Sequence, residues 1–236
     1  MITKRLPQYQ GHLTPSQVAD GINAASSNAK RLAEDAQLLV ENGRFPTAVS
    51  IAILAIEEYG KISILRGLST STTPEGVKDG WKRYRTHTKK NGMAIFIDLF
   101  LAGARKLREF KPAVETEQEH NYVFDNLKQL GFYSDCLNIG KWISPSDVVS
   151  ETESKKIVTI ATILTRSLRP VTTKEIELWI EIVGPSLSGS QSDAESALAS
   201  WYTAMQENGL IAEGENQMSQ FVTDGFPFPP MAQTAG

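Results

Sequence analysis

The sequence holds a single cysteine, Cys136, in 236 residues, so no disulfide can form within the chain. No Cys/His cluster has the spacing of a structural zinc site, which excludes the small metal-stapled folds. A lone thiol without a basic neighbour in sequence is expected to be a core residue rather than a nucleophile. Long apolar runs are missing too: the stretches at 51–56 and 94–104 are far shorter than the roughly 20 residues a membrane span needs, and the second carries Asp98. The opening MITKRLPQYQGHLTP has basic residues but no apolar run or small-residue cleavage site behind them, against a secretory signal. A reducing cytoplasm is the expected compartment. There is no glycine-rich phosphate loop, no repeat of fixed period and no sustained alternation of apolar and polar residues, so nucleotide-binding sheets, solenoids and β-barrels are not expected.

What is present is helical. Thr14-Pro15-Ser16-Gln17 sets a capping hydroxyl, a proline at the first helical position and a glutamine at the capping-box position, the signature of a helix start. Apolar and small residues then recur at spacings of three and four from Ile22 to Val40, and Asn42-Gly43 supplies the stop. A second helix is expected from Phe45 to about Leu68, and two long helices joined so tightly must lie antiparallel. Thr73-Pro74-Glu75 repeats the cap-plus-proline start for a third helix. Further helices are expected as one or two pieces up to Phe110, as a shorter piece near Gly131, over 152–169, from Thr173 onward and, last, over 193–208. The expected fold is an all-α antiparallel bundle spanning residues 1–149, with a helical C-terminal extension over 150–236 that either packs on it or forms a separate domain.

Charge is split along the chain. Residues 171–236 contain one lysine and nine acids, a balance of −8 that leaves +5 for residues 1–170 out of the overall −3. The basic part is the candidate for an anionic partner, and an acidic extension that shields it is one consequence of the split. Its densest stretch is KDGWKRYRTHTKK at 78–90, with six Lys/Arg, one Asp and interleaved Trp81 and Tyr84. A solvated helix face is the ordinary reading of such a run.

The chemistry-bearing residues gather on the second and third helices. In Ala55-Ile-Glu57-Glu58-Tyr59-Gly60-Lys61, helix geometry puts Glu58 in the middle of the stripe of Ile51, Leu54, Ala55, Ile62 and Leu65. A carboxylate so placed needs a cation or several donors from a neighbouring helix. Glu57 and Lys61, four apart, can pair on the edge of that face. On the third helix Arg83, His87, Lys90 and Asn91 fall on one stripe. Histidine can carry protons near neutral pH, and Arg and Lys can hold a phosphate and stabilise the charge of its transition state. Metal-free cleavage of RNA uses these residue types. A di-iron bundle is not expected, because Glu117-Gln-Glu-His120 is a single Glu-x-x-His without a second copy.

The run of spaced alanines, the Asn42-Gly43-Arg44 turn, the Glu57-Glu58-x-Gly-Lys61 element and the following Tyr84-Arg85-Thr86-His87-Thr88-Lys89-Lys90-Asn91 resemble the AbiV-type abortive infection proteins of the HEPN superfamily, as does LKQLGFYSDCL at 127–137. The resemblance implies a HEPN helical bundle, usually a homodimer, in phage defence, with metal-independent endoribonuclease activity that stops translation, no cofactor, and a phage-encoded or host protein as regulator. Under it His87 is the general acid/base, Arg83 and Lys90 hold the scissile phosphate, Glu57, Glu58 and Lys61 orient this set, and Lys82, Arg85, Lys89 and Asn91 contact RNA. HEPN nucleases usually place the histidine five to seven positions after the arginine, whereas three residues separate Arg83 from His87. The alternative is a non-catalytic HEPN binding module that senses a phage or host protein.

Overall fold

The computed structural model describes residues 7–86, 109, 119–137 and 140–225. Helix α1, Pro15–Glu41, starts where its sequence dictates: Gln17 N–H donates to Thr14 Oγ1 at 3.3 Å and Thr14 N–H donates to Gln17 Oε1 at 2.9 Å. This closes the capping box and satisfies donors that a helix start leaves open. Gly43, at φ +67°, makes the turn into α2, Phe45–Thr70. The inward face of α1 is mostly small, with Ala19, Ala25, Ala29, Ala33 and Ala36 buried, so α2 approaches it closely along its length.

Helix α2 is the centre of the molecule. Helix α3, Pro74–Arg85, packs against it, as do α4, Glu119–Phe132, and α6, Glu151–Arg166, which also lies along α1. The expected single apolar stripe on α2 is therefore too simple: a helix flanked by four others buries several faces, as one that is apolar nearly all round must. The seat of α4 is set by Gly131. A Cβ there would stand 2.3 Å from Ser50 Oγ and 2.7 Å from the Pro46 carbonyl oxygen, and Ser50 Oγ donates to the Lys128 carbonyl at 2.9 Å. Gly131 is thus a helical residue that lets two backbones meet.

Between α4 and α6 the chain forms a two-stranded antiparallel hairpin, β1 (Asp135–Leu137) and β2 (Lys141–Ile143), turning at Gly140 with φ +83°. Three-residue strands are too short for alternation to show in sequence. Cys136 sits on β1 opposite Trp142 and is exposed, which corrects its expected place in the core. A short helix α5, Pro145–Val148, and the Ser150 to Glu153 capping box lead into α6. The N–H and hydroxyl of Ser150 donate to the Glu153 carboxylate at 3.0 and 2.8 Å and hold its pKa below the usual carboxylate range.

The C-terminal region comprises α7, Thr173–Leu178, a π-helical turn over Trp179–Val183, a 3-10 turn over Gly184–Ser188, then α8, Gln191–Glu207, and α9, Gln217–Thr223. The last helix was not expected from the sequence. Three apolar clusters hold these elements together. Ala52, Ile53, Ile56, Val158 and Ala161 lie in the first, between α1, α2 and α6. Val18, Ile22, Leu65, Trp81 and Ile176 lie in the second, which joins α7 to α1, α2 and α3. Trp201, Met205, Leu178 and Val183 form the third. Asn23 of α1 adds a two-way clasp, its amide donating to the Val171 carbonyl and accepting from the Val171 N–H, both at 2.8 Å. The fold is all-α apart from the short hairpin, and among the described residues no helix is long and apolar enough to cross a membrane.

Candidate functional site

The carboxylates of α2 are placed the other way round from the sequence expectation. Glu57 is the buried one, 2% exposed, and its partner is Lys128 of α4, whose Nζ donates to Glu57 Oε1 at 2.7 Å. Glu58 is only half-buried and pairs with Lys61 at 2.5 Å, one turn along its own helix. The expected Glu57 to Lys61 pair does not form. The reason lies in the central position of α2: α4 covers the face that carries Glu57, so burial is decided by a neighbour whose position a single-helix stripe cannot reveal.

Lys128 also meets Asp125 at 2.9 Å. Burial opposes its charged form, but the hydrogen bonds and attraction from Glu57 and Asp125 outweigh that cost and raise its pKa above the ordinary lysine value. Sequence reasoning missed Lys128 as a site residue, although it falls within the LKQLGFYSDCL segment and stands three residues after Asp125, the spacing of a helical ion pair.

Lys61 faces the third helix. Its Nζ is 5.2 Å from the centroid of the Tyr84 ring, so one ammonium joins the Glu58 carboxylate to the end of α3 through an ion pair and a cation–π contact. The last turn of α3 carries Lys82, Arg83 and Arg85, cations that the negative end of the helix dipole favours. Lys82 and Arg83 are exposed. Arg85 has structural work: its guanidinium lies 5.0 Å from the Trp81 ring centroid and donates to the Tyr9 carbonyl. Trp81 in turn stacks edgewise with Tyr9 and Tyr84 and donates from Nε1 to the Gly11 carbonyl at 2.9 Å. These contacts strap residues 9–11 across α3.

The helix stops at Arg85. Thr86 is extended, at φ −89° and ψ 121°, and its hydroxyl donates to the Lys82 carbonyl at 2.8 Å, a side-chain bond that competes with helix continuation. Of the expected stripe from Arg83 through His87 to Lys90 and Asn91, Arg83 falls on the last turn of α3. His87, Lys89, Lys90 and Asn91 lie outside the described residues, as does Glu117. Among the described residues no group of His, Cys, Asp or Glu is placed to hold a metal ion.

A second buried network, also unforeseen, ties α2 to the C-terminal region. Glu175, 1% exposed, accepts from Arg66 Nη2 at 2.8 Å and from Arg169 Nη1 at 2.7 Å. The Arg66 guanidinium sits 5.0 Å from the Trp179 ring and 4.9 Å from the Trp201 ring, which are themselves 5.1 Å apart and edge to face. Nη1 of Arg66 and Nε1 of Trp179 are buried without a conventional acceptor; the ring faces are the acceptors this corner offers Arg66. Tyr59, one side of this network, has its pKa raised by burial, with Arg66 pulling the other way.

No curated protein and no solved structure matches the chain. The sequence model of one family, described as AbiV and belonging to the HEPN group, matches residues 17–166, from the first turn of α1 to the last residue of α6.

Proposed function

Because this match makes the chain a member of the AbiV family of HEPN abortive infection proteins, we propose that it is an endoribonuclease toxin of phage defence that cleaves RNA without a metal ion. The observation that carries this reading is the contact of Lys61 with Tyr84, which sets the Glu58 and Lys61 pair of α2 against the end of α3. His87 follows Tyr84 by three residues, and three residues of chain reach at most about 11 Å. In this reading His87 takes the proton of the attacking 2′-hydroxyl and returns one to the leaving oxygen. Arg83 and Lys90 hold the phosphate, and Glu58 with Lys61 positions the set. Lys82 and Lys89 supply further phosphate contacts. Glu57 acts one step removed, by fixing α4 through Lys128. The acting form is a homodimer in the cytoplasm, its trigger a phage-encoded or host protein, and the extension over 150–236 works as part of the unit packed on the 1–149 bundle.

RNA as the partner has a direct consequence for binding. Each phosphate neutralised by Lys82, Arg83 or Lys89 releases counterions, so the association constant is expected to fall steeply and linearly on a logarithmic scale as salt rises. Titrating a fluorescent single-stranded RNA at several salt concentrations measures that slope. Binding that ignores salt would instead favour the binding-module reading, which the structural use of Glu57 and Arg85 supports. There the charged network only holds helices in register and the partner is a protein.

A further inference from the structure

Tyr9 is a large ring held in one pose and yet open to solvent. It is 55% exposed, although its hydroxyl donates to the His12 carbonyl at 2.6 Å, its own carbonyl accepts from Arg85, and its ring meets Trp81 edge to face with centroids 5.9 Å apart. Gly11 makes room for this pose: a Cβ there would stand 2.7 Å from the Tyr9 hydroxyl oxygen and 2.9 Å from the ring carbon that bears it. The hydrogen bonds that strap this segment to α3 use only the backbone carbonyls of Tyr9 and Gly11. The open part of the ring is left over from that work.

The charge around the ring is positive. Arg85 spends its guanidinium on the Trp81 ring and the Tyr9 carbonyl, and neither contact cancels its charge. Lys82, exposed, lies about 60° round α3 from Arg85. In sequence, Lys4 and Arg5 precede Tyr9 and no acid occurs before Asp20. The acids of α3, Glu75 and Asp79, stand about 9 Å or more back along the helix from Arg85. The aromatic row also continues inward, since Trp81 meets Tyr84 at 5.5 Å and Tyr84 meets Lys61 at 5.2 Å, so Tyr9 is the outer end of a row that leads into the candidate site. An open ring among cations suits a single-stranded nucleic acid, whose bases stack on aromatic faces while its phosphates meet the cations. A duplex keeps its bases stacked on one another and offers no such face.

We propose that Tyr9 is the platform on which an unpaired base of the RNA stacks, with Lys82 on a phosphate next to that base and Arg85 holding the segment in position. The row through Trp81 and Tyr84 then sets the strand toward Lys61. This rests on the RNA reading above and adds to it the form of the substrate, a single strand gripped by the face of a base. A ring face carries no hydrogen-bond code, so the platform accepts any of the four bases.

The test is binding of a 2′-O-methyl RNA strand to the full chain, followed by fluorescence anisotropy; such a strand lacks the attacking 2′-hydroxyl and is not consumed. Tyr9→Ala keeps the backbone carbonyls of the strap and is expected to weaken binding about tenfold, whereas Tyr9→Phe, which keeps a ring, is expected to bind nearly as the natural chain does. Tyr9→Leu keeps apolar bulk against Trp81 but offers no ring, and is expected to lose as much as Tyr9→Ala; it serves in its place if Tyr9→Ala has a lower Tm. On a strand of the same length with its bases removed, the natural chain and the ringless variants are expected to bind equally. Salt-dependent binding that the ringless variants leave unchanged, or a loss that is as large on the abasic strand, would overturn the platform while leaving the RNA reading in place. A natural chain that binds neither strand at any salt concentration would overturn both and point to a protein partner at this corner.

Discussion

Replacing Lys128 with methionine is expected to destabilise the chain by about 1.5–3 kcal/mol, the cost of removing a charge-assisted hydrogen bond from a buried carboxylate. The Lys128 and Glu57 side chains are only 5% and 3% exposed, so the contact is shielded from solvent. Asp125, at 35% exposed, can turn to solvent and contributes less to the loss. Methionine fills much of the same space, which separates the missing charge from a packing void. Denaturant unfolding, extrapolated to water, gives the number. Adding Glu57→Gln is expected to recover part of it, because the neutral amide no longer needs a cation. A loss below about 1 kcal/mol would mean that the pair does not hold α4 to α2.

The same pair fixes a pH dependence. The pKa of Lys128 is raised above 10.5 in the folded chain, so its contribution is fully present below the unfolded value and disappears as pH climbs through the folded one. The natural chain is expected to lose stability on the alkaline side of 10.5, and Lys128→Met to lack that part of the loss.

The second large effect is expected at Glu175, where one buried carboxylate serves two arginines. Glu175→Leu leaves Arg66 between two tryptophan rings with no counter-charge, at a cost of about 3 kcal/mol or more. The effect is local in origin: Arg66 belongs to α2, whereas Trp179 and Trp201 belong to the region beyond residue 166, where the family match ends. Hydrogen exchange is expected to show protection lost first over 173–223, ahead of α1 and α2, with a change in tryptophan fluorescence from the same two rings. Uniform loss of protection along the chain would instead show that the C-terminal helices and the bundle unfold as one unit.

How far the sequence alone could be read depends on the range of the interactions involved. Caps are local, and the starts at Thr14, Thr73 and Thr172 were written in hydroxyls, prolines and polar or acidic residues within four residues of one another. The antiparallel pairing of α1 and α2 followed from helix length and a three-residue turn. The choice between Glu57 and Glu58 was not local. Adjacent residues on a helix differ by 100°, and on a helix covered from four sides only the position of α4, set by Gly131 against Pro46 and Ser50, decides which carboxylate is buried. The Arg66 and Glu175 contact joins residues 109 apart, and nothing in the spacing of either residue announces the other. The end of α3 was hidden for a different reason: Thr86 spends its hydroxyl on the Lys82 carbonyl and turns extended, a side-chain choice that apolar periodicity does not show.

Cleavage of total cellular RNA by the purified full chain in the presence of EDTA, compared with a His87→Ala variant of equal Tm, tests the ribonuclease reading most directly. The expected result is fragmentation by the natural chain at a rate that EDTA does not change, falling by about a hundredfold or more in the variant, as loss of a general acid/base requires. Cleavage that survives unchanged in His87→Ala, or no cleavage by either chain, would contradict it.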